Sequence, residues 1–249
     1  MTFDPAKAVK DITEFIRDFF RSSGGKTAIV GLSGGKDSTI VAALCARALG
    51  QDHVVGLIMP DQVMKDADMH AAKLVATRYC GKSFIFNIAP TVYSIELSMD
   101  LPEATDQAEL NLPARVRMVT LYFVAQCMEH GRVANTCNAS ENYVGYSTWY
   151  GDCAGDFSPL HDFTVQEVKA IGHYLGVSEE LVEKVPDDGL CGKTDEDSLG
   201  FTYAVLDRYI REGVCEDEAV KKRIDALHER NLFKLLPIPH AENVQKVRL

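Results

Sequence analysis

Residues 27–50, TAIVGLSGGKDSTIVAALCARALG, constrain this chain more than any other stretch. Thr27-Ala28-Ile29-Val30 is short, apolar and β-branched, the composition of a buried strand. Gly31-Leu32-Ser33-Gly34-Gly35-Lys36-Asp37-Ser38 then packs three glycines and two serines into eight residues. Ile40, Val41, Leu44 and Leu49 mark a helix that Gly50 is placed to stop. Strand, glycine loop and helix in that order make a phosphate cradle. Glycines let the backbone approach oxygen atoms closely, and the helix N-terminus adds N–H donors and partial positive charge. The loop is not a Walker A motif, which needs Gly-Lys-Ser/Thr where this chain has Lys36-Asp37-Ser38. Asp37 is the informative difference. A carboxylate beside a polyphosphate is repelled unless a divalent cation lies between them.

The rest of the chain supplies the sheet around that loop. Residues 5–21 read as an amphipathic helix with Pro5 at its start. Residues 53–59, 83–88 and 132–135 read as further strands, and residues 65–79 and 112–129 as helices between them. Residues 101–111 are acidic and poorly periodic and predict a loop, as does the Gly-, Asp-, Ser- and Tyr-rich stretch 136–161. Helices are expected over 164–175, after Ser178, and over 201–211 and 217–229, followed by an extended tail. The β-α-β-α-β rhythm implies an α/β fold, a doubly wound parallel sheet flanked by helices and Rossmann-like, with ligands at the carboxyl ends of the strands. Without repeats or low-complexity segments, residues 1–249 are expected to form a single domain.

Composition narrows the partners. The formal charge is −10, from 36 acidic against 26 basic residues, with no long Lys/Arg cluster, which disfavours nucleic acid and favours a small-molecule substrate. Neither a membrane span nor a secretory signal is visible, so no membrane partner is expected. The seven cysteines form an odd set without a C-x-x-C pair, the pattern of reduced cytoplasmic thiols.

Ser33-Gly34-Gly35-Lys36-Asp37-Ser38 resembles the S-G-G-x-D-S loop of the ATP pyrophosphatases, which cleave ATP between its α- and β-phosphates. Further matches resemble NAD synthetase, in order along roughly residues 28–235. They are Ala114-Arg115-Val116-Arg117-Met118, the run from Asn135 and Thr136 to Glu141, Gly145 to Asp152, Asp156 with Pro159, and Asp195-Glu196 with Gly200 and Tyr203. The resemblance implies an adenine nucleotide alpha hydrolase-like homodimer that makes NAD from deamido-NAD, ATP and ammonia. It implies ATP contacts at Gly31, Leu32, Ser33, Gly34, Gly35, Lys36, Asp37, Ser38 and Thr136, and Mg²⁺ held by Asp37 and Glu141. Both carboxylates sit at ends of predicted strands, so they can meet over the loop, and hard oxygen ligands suit magnesium. Asp37, Glu141 and Asp156 are the candidate catalytic residues, in the sense of positioning and charge stabilisation; Arg115, Asp156 and Lys234 are the candidate substrate contacts. Arg115 and Arg117 lie about 200° apart on a helix and cannot both face one ligand; with Arg115 given the substrate contact by the resemblance, Arg117 is read as structural or as an ion-pair partner. Tyr146, Trp149 and Tyr150 either stack on ligand rings or fill the core.

The chain also departs from that family's pattern. Trp149 and Val165 stand where lysines are expected, Asp187 where a Thr or Ser is, and Phe233 in place of the His of a His-Lys pair. Lys36 or Lys193 is expected to supply the charge absent at Val165. The competing readings are a tRNA-modifying pyrophosphatase, disfavoured by the acidic charge and the missing C-x-x-C, and a non-catalytic nucleotide sensor. With only 26 residues before the first strand and no recognisable cysteine nucleophile, free ammonia rather than glutamine is the expected nitrogen donor.

Overall fold

The computed structural model describes residues 3–98, 104–184 and 194–240. Within them, β1 (Thr27–Gly31), β2 (Val54–Ile58), β3 (Lys82–Ile85) and β4 (Gly131–Val133) form one parallel sheet in the order β3-β2-β1-β4. Ala134 bridges Phe157 in parallel and extends the sheet past β4. The chain winds outward from β1 to β3 and then returns to β1's other side. A switch point therefore opens between the carboxyl ends of β1 and β4, where ligands of such sheets sit.

Alternation along β1 feeds two cores. Ala28 and Val30 pack with α1 (Pro5–Ser23), α2 (Lys36–Leu49), α3 (Asp66–Tyr79) and α7 (Val165–Tyr174). Ile29 faces the opposite way with Val55 and Leu57, against α5 (Asp106–Cys127) and Ile88 just before α4 (Ala89–Ser98). Helices on both faces make the sheet doubly wound, as the sequence rhythm implies. A satellite cluster joins α6 (Ala139–Val144), the start of α7, α9 (Asp195–Leu199), α10 (Tyr203–Glu212) and α11 (Glu218–Asn231). Its polar pin is Asp207, which accepts from Ser140 Oγ (2.5 Å) and from the Gln166 amide (2.8 Å). A short α8 (Glu179–Val182) follows α7.

Three sequence expectations need correction. Residues 106–111 are helical rather than looped: α5 starts at Asp106, and Thr105 caps it by accepting from the Ala108 amide (3.3 Å). The acidic first turn that looked aperiodic is where a helix dipole favours Asp106 and Glu109, and Pro113 lies inside the helix rather than at its start. The stretch 136–161 contains α6, whose six residues are held by an Asn138–Glu141 capping box. The tail opens with a 3₁₀ turn, Leu232–Leu235. Residues 185–193, which include Asp187 and Lys193, lie outside the described residues.

Candidate active site

The glycine loop folds into the predicted cradle at the end of β1. Gly34 takes the left-handed conformation (φ 80°), which turns the chain into α2. Ser33 and Ser38 lock the turn through a 3.1 Å Oγ–Oγ contact, with the Ser33 amide on Ser38 Oγ (3.3 Å) and the Gly35 amide on Ser33 Oγ (3.1 Å). Gly35 is the N-cap of α2 and no side chain caps that helix, so the amides of its first turn face the loop. Above lies a cavity of about 390 Å³ walled by Gly31, Leu32, Ser33 and Ser38 from the loop and by Ala134 and Thr136 from the end of β4. The cavity is thus built at the switch point. Arg117 borders it as well, donating from Nε to the Met59 carbonyl (3.1 Å) and forming an ion pair with Asp61, the second of the two roles open to it from the sequence.

Two carboxylates meet at this loop through a shared neighbour. Asn138 donates Nδ2–H to Asp37 Oδ1 (3.1 Å), and its backbone amide donates to Glu141 Oε2 (3.0 Å). Burial and then the Asp37 charge push the Glu141 carboxyl up to about 8. Among the described residues no three His, Cys, Asp or Glu side chains gather as a metal site. A pair of carboxylates suits an ion that takes its remaining ligands from phosphate and water, as magnesium does. Lys36 is 3% exposed and ion-paired with Asp37 at 2.8 Å. Burial alone would depress its ammonium, but Asp37, Glu141 and Asp195 outweigh that and hold it above the usual lysine range. Its charge is therefore spent on carboxylates. Val165, where a lysine was expected, is buried in the satellite cluster instead.

The candidate substrate residues lie elsewhere. Asp156 and Lys234 border a second cavity of about 280 Å³ with Asn135, Ser158 and His161. Asp156 accepts from the Val133 amide (2.7 Å) and from the Tyr122 hydroxyl (3.3 Å), so its carboxylate ties this cavity to β4 and α5. Lys234 donates to the carbonyls of Gly145 and Ser147, both at 2.8 Å. Arg115 borders neither cavity; it is exposed and donates to the Trp149 carbonyl (3.3 Å). Just after Trp149 and Tyr150, Asp152 lines the first cavity and Cys153 the second. Trp149 stacks on Tyr150 (centroids 4.5 Å) and meets Phe233 edge-on (4.8 Å). Two departures from the family pattern, 84 residues apart by number (233 − 149), thus touch each other. Tyr150 keeps a left-handed backbone (φ 61°) and is half exposed, so these aromatics are not simply core.

Sequence reasoning missed two residues at the loop. Asn138 carries a readable signal, since Asn-x-x-Glu is a capping-box spacing. Lys184 carries none. Its ammonium reaches the loop from the end of α8, donating to the Gly34 carbonyl (2.9 Å) and pairing with Asp68.

A parallel α/β sheet with a serine- and glycine-lined phosphate loop and paired carboxylates at its switch point defines a nucleotide-binding fold of the ATP pyrophosphatase kind. The match to the NAD synthase family model runs over residues 8–237, and the chain belongs to the NAD synthase family. It is 40% identical to the NH₃-dependent NAD⁺ synthetase of Methanocaldococcus jannaschii over 82% of this chain and 79% of that one. It is 39% identical to the corresponding synthetase of Archaeoglobus fulgidus, covering 92% and 93%. Among solved structures, NMN synthetase from Francisella tularensis superposes with a TM-score of 0.90 at 29% identity, covering 97% of this chain and all of the other.

Proposed function

We propose that this chain is a single-domain synthetase that uses ATP to amidate deamido-NAD with ammonia, releasing NAD, AMP and pyrophosphate through an acyl-adenylate. The observation that carries the reading is the phosphate loop with Asp37 and Glu141 joined across it by Asn138. A carboxylate resists ammonia because its oxygen is a poor leaving group; once adenylated, that oxygen departs as part of AMP. The first-turn amides of α2 stabilise charge growing on the pyrophosphate. Asp37 and Glu141 would hold magnesium, which when bound neutralises phosphate charge as a Lewis acid. Thr136 contacts ATP from the end of β4. Asp156 and Lys234 position the acceptor at the second cavity, Asp156 by fixing the cavity wall, and Arg115 acts from outside it through the Trp149 turn that it holds. No side-chain nucleophile is required.

One observation favours a second acceptor. The aromatic contact of Trp149 with Phe233 replaces polar groups of the family pattern, and the Francisella protein of closely similar shape is an NMN synthetase. The same amidation on nicotinate mononucleotide would give NMN. The test is product formation with ATP–Mg²⁺ and ammonium chloride, each acceptor offered in turn, and ammonia-free glutamine substituted for ammonium in a parallel arm. NAD from deamido-NAD at the higher kcat/KM supports the first reading and NMN at the higher value the second. Neither product, or equal rates with glutamine, rejects both.

An apolar surface supports the homodimer as part of this reading. α4, α5 and the edge strand β3 leave Phe84, Ile85, Tyr93 and Leu97 exposed, with Val119 and Phe123 at 71% and 68%. Such a face marks an interaction site. Phe123→Glu should convert a dimer to monomer in analytical ultracentrifugation at micromolar concentration. A wild-type monomer, or an intact variant dimer, would refute the pairing. Six free cysteines among the described residues, three of them buried, are consistent with a reducing cytoplasm.

A further inference from the structure

Among the described residues three cations lie around the phosphate loop, and their partners set them apart. Lys36 is buried against Asp37, and Arg117 is held by Asp61 and the Met59 carbonyl. Lys184 alone of the three donates to the backbone of the glycine loop, at the Gly34 carbonyl (2.9 Å), while pairing with Asp68 on the cavity wall. Its side chain is one-third exposed.

We propose that Lys184 is a polyphosphate-binding residue, its ammonium leaving Asp68 for an oxygen of the pyrophosphate portion of ATP while keeping the Gly34 carbonyl. The proposal rests on the ATP-dependent reading above. The first argument is position. Gly34 carbonyl and Gly35 N–H belong to one trans peptide and point opposite ways, so an ammonium on the carbonyl keeps the amide turned into the loop, where Ser33 Oγ receives it. A free carbonyl could rotate toward the phosphates and repel them.

The second argument is charge. An ammonium has three protons, of which Gly34 and Asp68 take two. A partly exposed pair with one carboxylate is weakly held, whereas a polyphosphate offers several charges to the same ammonium. Asp68 is the resting counter-ion, and the exchange moves the cation only from the cavity wall toward its centre. Lys36 cannot take this part without leaving Asp37 unpaired and itself buried.

The test is calorimetric titration of the full chain with magnesium pyrophosphate, alongside steady-state kinetics. Lys184→Ala should weaken pyrophosphate binding about 10-fold or more and raise KM for ATP, with KM for deamido-NAD unchanged. Lys184→Gln keeps a donor for Gly34 without the charge and should match the Ala variant; Lys184→Arg should stay within about 3-fold of wild type. Asp68→Asn releases the ammonium and should bind pyrophosphate at least as tightly as wild type. If Lys184 merely braced α3 against the loop, Asp68→Asn would lose affinity as Lys184→Ala does, and that result overturns the proposal. So does wild-type affinity in the Gln variant, or no pyrophosphate binding by wild type. A wild-type protein that binds pyrophosphate and forms NAD while the Lys184 variants are unaffected refutes this inference and leaves the function standing.

Discussion

Glu141→Gln should abolish NAD formation, by at least about 100-fold in kcat/KM, in a protein no less stable than wild type. Burial, and then the Asp37 charge, already push the Glu141 carboxyl up to about 8, so a neutral amide there gives up little charge that the fold uses. Its remaining oxygen still accepts from the Asn138 amide, so the capping box of α6 survives. Asp37→Asn should be equally inactive but less stable, by about 1–3 kcal/mol, because Lys36 would keep its burial and lose its 2.8 Å partner. Sequence alone suggests that both acids stand on loops and leave folding untouched. The buried ammonium separates them. Thermal midpoints measured without metal, beside turnover in limiting Mg²⁺, check both claims. Near wild-type turnover in either variant would remove that residue from the metal site, and equal stability losses would refute the role assigned to Lys36.

The cradle was legible because its causes are local. Glycine spacing, the strand before it and the helix after it lie within 24 consecutive residues, and the backbone conformation of Gly34 follows from its lacking a side chain. Alternation in β1 and the βαβ rhythm likewise set the doubly wound sheet without long-range information. What remained hidden was contact across the fold. Lys184 stands 150 residues from the carbonyl it holds, and nothing around it in sequence differs from a solvated lysine after a short helix. Lys36 looked like a phosphate-facing charge, since a sequence shows a lysine in a loop but not the three carboxylates that close around it. α5 was entered late because its first turn is polar and its proline imitates a start signal, though Thr105 supplies the cap six residues earlier than expected. Trp149 and Phe233 were visible as separate departures and became one feature only when the turn before Asp152 met the 3₁₀ tail.

Gly34→Ala should cost more activity than any other single methyl group added to the loop. At φ 80° an L-residue is strained, and the new Cβ would fall on the backbone carbonyl of Asp68 in the first turns of α3. Backbone cannot be moved aside as a flexible side chain can, so the loop itself must shift. A displacement of that size takes the α2 amides and the Gly34 carbonyl out of register with the cavity, and misplacement by about 1 Å already costs on the order of 100-fold. The sheet should survive with a loss of about 1–3 kcal/mol, because Gly34 lies beyond the end of β1 and outside both cores. Gly35→Ala is the matched control. Its backbone is ordinary (φ −92°) and its new Cβ meets only Ser33 Oγ at 3.2 Å, a hydroxyl able to yield by a few tenths of an ångström. Its kcat/KM for ATP should remain within about 10-fold of wild type, against about 100-fold or more lost in Gly34→Ala. Steady-state kinetics with ATP varied, and circular dichroism melts of both variants, decide it. Equal losses at the two positions would mean that the amount of glycine, rather than the approach of α3 to Gly34, sets the shape of the cradle.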